Sequence, residues 1–398
     1  MRAEQVKVTG WQGRALALAR DIVYPQSRWW DAVTSVPRHV LVPRWFTRNG
    51  TGPWELQDGA ADEQAWRAAA YDGWQTLITK VGAQHADHTR PGTTCQGPPT
   101  SSATQPSLAV AMYRHARIYD GADVLDVGTG SGYGCALLTR RLGSEHVTSI
   151  DIDPYLTSTA ASRLDSIGLR PADIITGDAA AELPGSYDRI VPMVSLPGVP
   201  ASWLAALRPG GRLVFSLTGG SVIITADKTP DGGAEGKVEL SGASFMTARH
   251  AADDEPQPAV IPEDICDADG EDITQSRYPV VDPTRGWELD AMLSVVAPGI
   301  TCRSDTDEQT GITTVWMACG DGSWARATGD AEQPATVHQA GPHRLWDILD
   351  SVRHRWLTRG ALPLRGASVR IDPDGTCHLN QDDWHATIPG HPARSLTH

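Results

Sequence analysis

Apolar and polar positions follow two different periods along the chain, and the change from one to the other marks out its elements. "ADVLDVGTG" is a β-branched run ending in glycines, "SGYGCALLTRRLG" repeats its apolar residues at helical spacing up to a glycine stop, and "HVTSIDID" is a second strand. A helix through "PYLTSTAASRLDSIG", strands at "ADIITGD" and "YDRIVPMVS", a helix through "PASWLAALRPGG" and a strand at "RLVFSLTGG" continue the series. Strands separated by helices of this length predict an α/β fold: a mostly parallel, doubly wound, Rossmann-like sheet that binds ligands at the carboxyl ends of its strands.

The flanking pattern predicts three regions. Residues 1–104 carry helical patches and several tryptophans, and end in a polar loop, "TSSATQPS". Residues 105–250 hold the core, closed by a β-hairpin in "SVIITADKTPDGGAEGKVELSGASFMTARH" with "DGG" as its turn. Residues 251–398 open on the acidic, proline-rich "AADDEPQPAVIPEDICDADGED", which reads as a linker or surface excursion, and then form an additional α+β domain. It contains short strands ("ITTVWMACG", "GSWARAT"), a closing hairpin ("ASVRIDPDGTCHL") and one amphipathic helix. In that helix Leu345, Ile348, Leu349, Val352 and Trp356 share a face and Gly360 is the stop.

Composition narrows the function. A chain of 398 residues exceeds the size at which one core stops growing, so a large domain with an appendage or two domains is expected. Thirty-four basic against forty-eight acidic residues, a net charge of −14, argues against nucleic-acid partners. No apolar run reaches membrane-spanning length, and the first residues lack a signal-peptide pattern, so a cytoplasmic protein, expected as a monomer, is the reading. The six cysteines form no C-x-x-C pair, which points to reduced thiols rather than a zinc knuckle or a disulfide framework. "HADH", with His85 and His88 ahead of Cys95, has metal-ligand residue types in a polar, loop-like setting, and no metal is expected there.

The glycine turn carries the chemistry. Gly128, Gly130 and Gly132 after a strand allow a tight turn and bring backbone N–H groups close to a ligand. Asp126 lies two residues before the first glycine, and D-x-G-x-G-S-G differs from the dinucleotide spacing. Asp151 ends the second strand, where it can accept from ribose hydroxyls. Gly177 and Asp178 end the third, where a carboxylate can meet an adenine amino group; on their own, both acids could equally cap helices.

This order of acids and glycines resembles S-adenosylmethionine methyltransferases. The resemblance implies S-adenosylmethionine as cofactor, held by Asp126, Gly128, Thr129, Gly130, Ser131, Gly132 and Tyr133, by Asp151 and Ile152, and by Gly177, Asp178 and Ala179. Over roughly residues 25–250 the chain is similar to protein-L-isoaspartate O-methyltransferases, in "VPRHVLVP", "AAYDGWQTLITKVG", "TQPSLAVAMYRHARIYDGADVLDVGTGSGY", "GDAAAELPGSYDRIVPMV", "LRPGGRLV" and "SFMTARH". That family methylates the carboxylate exposed when an aspartate isomerises. Three departures stand out: the long tail, Thr104 where the family has a serine, and Pro192 and Met193 in place of small residues.

The tail, with its "DGSWAR" and "HRLWD" segments, resembles long actinobacterial homologues that accompany ribosomally made lanthipeptides, lasso peptides and graspetides. This implies a modified precursor peptide as partner. One of its ordinary aspartates would be methylated, and backbone attack on the ester would give an aspartimide or isoaspartate. The alternatives are general isoaspartate repair, which the extra tail makes the weaker expectation, and a cofactor-binding docking partner of a peptide-modifying enzyme.

A carboxylate is ionised at neutral pH and needs no strong base, so Thr104, with Ser102 and Ser101, is expected to supply neutral donors to it. Thr104 alternatively caps the following helix. Arg38 and His39 either line the acceptor channel or form a helix-to-loop corner. The six tail tryptophans (Trp287, Trp316, Trp324, Trp346, Trp356, Trp384) are expected mostly in the core, with an exposed patch available to grip a peptide.

Overall fold

The computed structural model describes residues 10–251 and 261–391. Residues 252–260, in the first half of the acidic proline-rich stretch, lie outside them. Ten strands in chain order form the central sheet: β1 (Val124–Val127), β2 (Val147–Asp151), β3 (Asp173–Thr176), β4 (Tyr187–Pro192), β5 (Leu207–Leu217), β6 (Ile223–Lys228), β7 (Ala234–Val238), β8 (Ser368–Ile371), β9 (Cys377–Gln381) and β10 (Trp384–Ile388). Their spatial order is β10-β9-β8-β7-β6-β5-β4-β1-β2-β3, with the short pair Ser195–Leu196 alongside β5.

The five strands from β5 to β3 are parallel to their neighbours, as expected for strands joined by helices. From β5 outward every pairing is antiparallel, so the parallel half of the sheet is continued by a meander. The expected hairpin, β6 with β7, is present, but it does not close the sheet. Three strands from the end of the chain continue beyond it.

Strand alternation explains how the flanking regions attach. All four residues of β1 are buried, as a strand covered on both faces requires. Leu125, Ile190, Leu213 and Phe215 point to one face and belong to a buried cluster that also takes in Leu289, Val315, Trp346 and Leu349 from the C-terminal region. Val124, Val191 and Val214 point to the other, against Leu18 and Val33 from the N-terminal helices and Leu137 from α2 (Tyr133–Leu142). Residues after 260 thus share a core with the sheet. They also build a five-stranded antiparallel sheet in the order Asp272–Pro279, Pro334–Ala340, Trp324–Gly329, Thr313–Ala318, Thr301–Thr306. A boundary at 250 therefore does not coincide with a sheet boundary.

Several local expectations change. "PASWLAALRPGG" is helical only over Ala201–Ala206, because "RPGG" enters β5 at an irregularity in its pairing with β4. The N-terminal region contains, besides helices, a six-stranded sheet between Arg44 and Ala103. "TSSATQPS" is not a free loop, since Pro99–Ala103 is a strand of that sheet, paired with Leu77–Val81. The amphipathic helix runs Leu345–Arg359 with Gly360 left-handed at its end (φ +77°), but Trp356 is 37% exposed. Trp287 is exposed as well, and Trp346 is buried. Among the described residues no helix is long and apolar enough to cross a membrane.

Candidate active site

A cleft with about 1100 Å³ of open space lies where β1, β2 and β3 end. Gly128 and Gly130, Asp151 and Ile152, and Gly177, Asp178 and Ala179 line one side. Ser101, Ser102 and Thr104 line it too, with Leu108 from α1 (Pro106–His115), and a strap over residues 244–250 borders the rest.

Backbone N–H groups fix the glycine-turn side. Gly128 N–H donates to Ile150 O (2.8 Å) and Gly177 N–H to Asp151 O (2.9 Å), tying each turn to the neighbouring strand. Asp151 Oδ2 accepts from Gly130 N–H (2.9 Å) and its Oδ1 from Asp153 N–H (3.1 Å). Burial pushes the Asp151 carboxyl up, and these two N–H groups oppose that. Gly130 has φ +50°, and a Cβ there would lie 3.1 Å from Ser102 O, so its lack of a side chain brings the glycine turn against the hydroxyl strand.

Other predicted cofactor residues lie behind this surface. Asp126 is 1% exposed and does not line the cleft; Ser149 Oγ donates to its Oδ2 (2.9 Å) and Tyr113 OH lies 3.5 Å from its Oδ1. Burial pushes its carboxyl up to about 7. Thr129 Oγ1 pairs with Ser149 Oγ (2.7 Å), and Ser131 is buried. Gly132 begins α2 at φ +84°, where a Cβ would press on Ala160 at 3.2 Å. Tyr133 is buried beneath the Arg38 guanidinium, 5.2 Å from its ring centre. These residues build the turn rather than its face.

The hydroxyls divide in the same way. Thr100 Oγ1 donates to Gly82 O (2.7 Å), and Ser101 Oγ accepts from Thr79 Oγ1 (3.0 Å). Ser102 and Thr104 line the cleft, and among the described residues neither hydroxyl has a protein partner. Thr104 is not a cap: the N-cap of α1 is Gln105, without a side-chain cap bond. Arg38 and His39 form the corner. Arg38, fully buried, donates to Ala70 O (2.8 Å), Ala103 O (3.2 Å) and Thr104 O (3.2 Å), and His39 Nδ1 meets Tyr71 OH (2.8 Å). Desolvation lowers the Arg38 guanidinium to about 10. The arginine therefore anchors the backbone that presents Thr104.

Some wall residues had no local signal in the sequence. Trp203 Nε1 donates to Ala179 O (2.7 Å), and the strap is held by Ser195, whose N–H donates to Met246 O and whose O accepts from Ala248 N–H (both 2.9 Å). Asp178 Oδ1 accepts from Ala180 N–H (2.8 Å), while Oδ2 meets His250 Nδ1 (2.9 Å), and His250 Nε2 meets His391 Nε2 (3.2 Å). Both carboxylate oxygens of Asp178 therefore already have protein partners. "SFMTARH" was legible as part of a family pattern, whereas His391 carried no sign. His85 and His88 of "HADH" pack on Tyr155, with ring centres 4.5 and 4.2 Å away.

Residues 90–249 match the family "Protein-L-isoaspartate(D-aspartate) O-methyltransferase (PCMT)". A protein-L-isoaspartate O-methyltransferase of Ignicoccus hospitalis is 33% identical over 133 residues, 32% of this chain and 63% of that one. Protein-L-isoaspartate O-methyltransferase 1 of an Anaeromyxobacter species is 38% identical over 135 residues, again 32% and 63%. The chain thus spans less than two thirds of the length of these relatives. A solved structure named protein-L-isoaspartate O-methyltransferase superposes with TM-score 0.51 at 15% identity, covering 93% of this chain and 99% of that one. The class I methyltransferase fold is thereby established. That superposition extends past residue 250 into the C-terminal region.

Proposed function

We propose that the protein is an S-adenosylmethionine-dependent carboxyl O-methyltransferase acting on polypeptides, with an L-isoaspartyl residue as its substrate. The observation that carries this reading is the convergence on one cleft of the Gly128–Gly130 turn, Asp151, and the hydroxyls of Ser102 and Thr104, which have no protein partner among the described residues. The family match of residues 90–249 supports it.

The donor set suits the cofactor. Asp151 stands where ribose hydroxyls would be accepted, the glycine turn leaves room for a close backbone approach, and Ala179 and Trp203 wall the far end. When bound, S-adenosylmethionine supplies an electrophilic methyl group. The chain's own task is alignment. An acceptor carboxylate, which ordinarily titrates near pH ~4, arrives ionised. Ser102 and Thr104 can each donate one neutral hydrogen bond to it, orienting an oxygen without the tight ground-state grip of a bidentate cation. A shallow groove continues from the cleft past Leu108 and Gln105 to Trp287, which is 55% exposed, and offers a surface for the peptide flanking that carboxylate.

A second reading is methylation of an ordinary aspartate in a constrained precursor peptide, followed by ring closure with loss of methanol. It is favoured by Thr104, which stands where the resemblance has a serine, and by Met193 in the cleft wall, which stands where it has a small residue. Mass spectrometry after incubation with S-adenosylmethionine separates the two. An isoaspartyl peptide that gains one methyl group supports the first. A cyclised aspartyl peptide that gains a methyl group and then ends one water lighter than it began supports the second. No change in either peptide would sink the carboxyl-methylation proposal.

Thr104→Val keeps the side-chain shape and removes the hydroxyl. A hydrogen bond to a charged group contributes about 1.5–3 kcal/mol, so kcat/KM for the acceptor should fall by roughly 10- to 100-fold. Affinity for S-adenosylhomocysteine should not change. Turnover equal to wild type would show that Thr104 Oγ1 does not touch the acceptor.

A further inference from the structure

We infer that His391, from the far end of the chain, completes the Asp178 end of the cleft and acts with His250 as a cofactor-positioning residue. The inference rests on the proposed cofactor reading and extends it to residues outside the family match, which stops at residue 249.

Asp178, His250 and His391 form a continuous hydrogen-bonded chain along the cleft wall, and all three line the cleft. With the tautomer in which His250 Nδ1–H donates to Asp178 Oδ2, His250 Nε2 can accept from His391 Nε2–H. The rings meet nearly edge to face, with centres 4.8 Å apart at 61°. Asp178 is thereby locked in a rotamer whose other oxygen holds Ala180 N–H, so the imidazole pair fixes the loop after β3 as well as the wall itself.

His391 occupies a built seat. Its N–H donates to Val199 O (3.0 Å), Pro200 forms a β-bridge with it, and it is only 7% exposed. Backbone presses on backbone around it: a Cβ on Gly198 would lie 2.1 Å from Pro389 O, on Gly375 2.0 Å from Val199 O, and on Gly390 2.4 Å from Asp374 O. Only glycines permit such approaches. The segment 198–200 leads directly into α4 (Ala201–Ala206), whose Trp203 holds Ala179 O, so the seat of His391 and the loop it faces are one connected structure. The ligand portion this wall would take is a purine base, a flat group suited to its two imidazoles.

The test is isothermal titration of full-length protein with S-adenosylhomocysteine, which needs no acceptor peptide. His391→Ala and His250→Ala should each raise Kd about tenfold, and the double variant should be no weaker than the weaker single one, because the two act as a chain. His391→Gln, whose amide can place a donor where Nε2 stands, should recover most of the affinity. Melting temperatures without ligand, within about 2 °C of wild type, separate this from loss of folding. Wild-type affinity in His391→Ala, or strictly additive losses in the double variant, would overturn the inference while leaving the cofactor reading intact. Failure of the wild-type protein to bind S-adenosylhomocysteine would overturn both.

Discussion

Lys80→Met is expected to lower the unfolding free energy by about 3–5 kcal/mol, the cost of stranding a buried charge. Its partner is Asp153, and both are almost fully buried. Lys80 Nζ stands 2.8 Å from Asp153 Oδ2, His85 Nε2 stands 3.2 Å from the same oxygen, and Oδ1 accepts Tyr155 N–H as the N-cap of α3 (Pro154–Ser166). Burial alone would push this carboxyl up, but hydrogen bonds from His85 and Lys80 hold it well below its usual range. The stabilisation is therefore present above the unfolded-state pKa near 4 and is lost as the pH falls below it. The pair also ties the N-terminal sheet to the cofactor side, since Asp153 N–H donates to Asp151. Thermal unfolding at neutral pH should show a drop on the order of 10 °C, partly restored by adding Asp153→Asn. A melting temperature equal to wild type would mean that water or another cation replaces Lys80 at no cost.

Asp126 should give the opposite pH dependence. Its carboxyl is raised from 3.8 to about 7, chiefly by desolvation. Between these values the folded chain keeps a proton that the unfolded chain releases, so raising the pH favours unfolding. A shift of about 3 units at 1.36 kcal/mol each corresponds to roughly 4 kcal/mol, present in full below pH 4 and lost once the pH passes 7. Asp126→Asn is neutral and close in shape. It should flatten the fall in stability between pH 4 and 7 and melt higher than wild type at pH 8. Some slope should remain from Asp151, whose carboxyl is also raised by burial. Denaturant titrations across this range decide the matter, and identical slopes for the two proteins would place the proton elsewhere.

These two carboxylates also show what could be read from the chain. β1 was legible because a β-branched run ends in a glycine turn, and that local signal pointed to Gly128, Gly130 and Asp151, which line the cleft. The same signal could not separate the residues of the turn that face the ligand from those that support it. Asp126 and Tyr133 belong to the second kind because of packing from Ser149, Tyr113 and Arg38, which lie far away in sequence. The N-terminal sheet escaped notice because its strands are two to five residues long and broken by Pro and Gly, too short for a period of two to register. Thr104 was legible as a hydroxyl at a family position, but its anchoring by Arg38 was not, because the contact spans 66 positions. His391 was invisible for the same reason, at 141 positions from His250.

The register of β7 with β8, which pairs Ala234 with Ile371 and Lys237 with Ser368, has a further consequence for solubility. In a chain cut after the hairpin, β7 would be an open edge: a row of unpaired N–H and C=O groups beside Ala234 and Val238, both buried in the intact protein. Such an edge invites strand addition by another molecule and aggregation. With β8, β9 and β10 in place the free edge among the described residues moves to Trp384–Ile388, preceded by exposed Asp382 and Asp383 and carrying exposed His385 and Thr387. Charge and polarity at that border discourage further pairing, so the last strands guard the sheet against self-association.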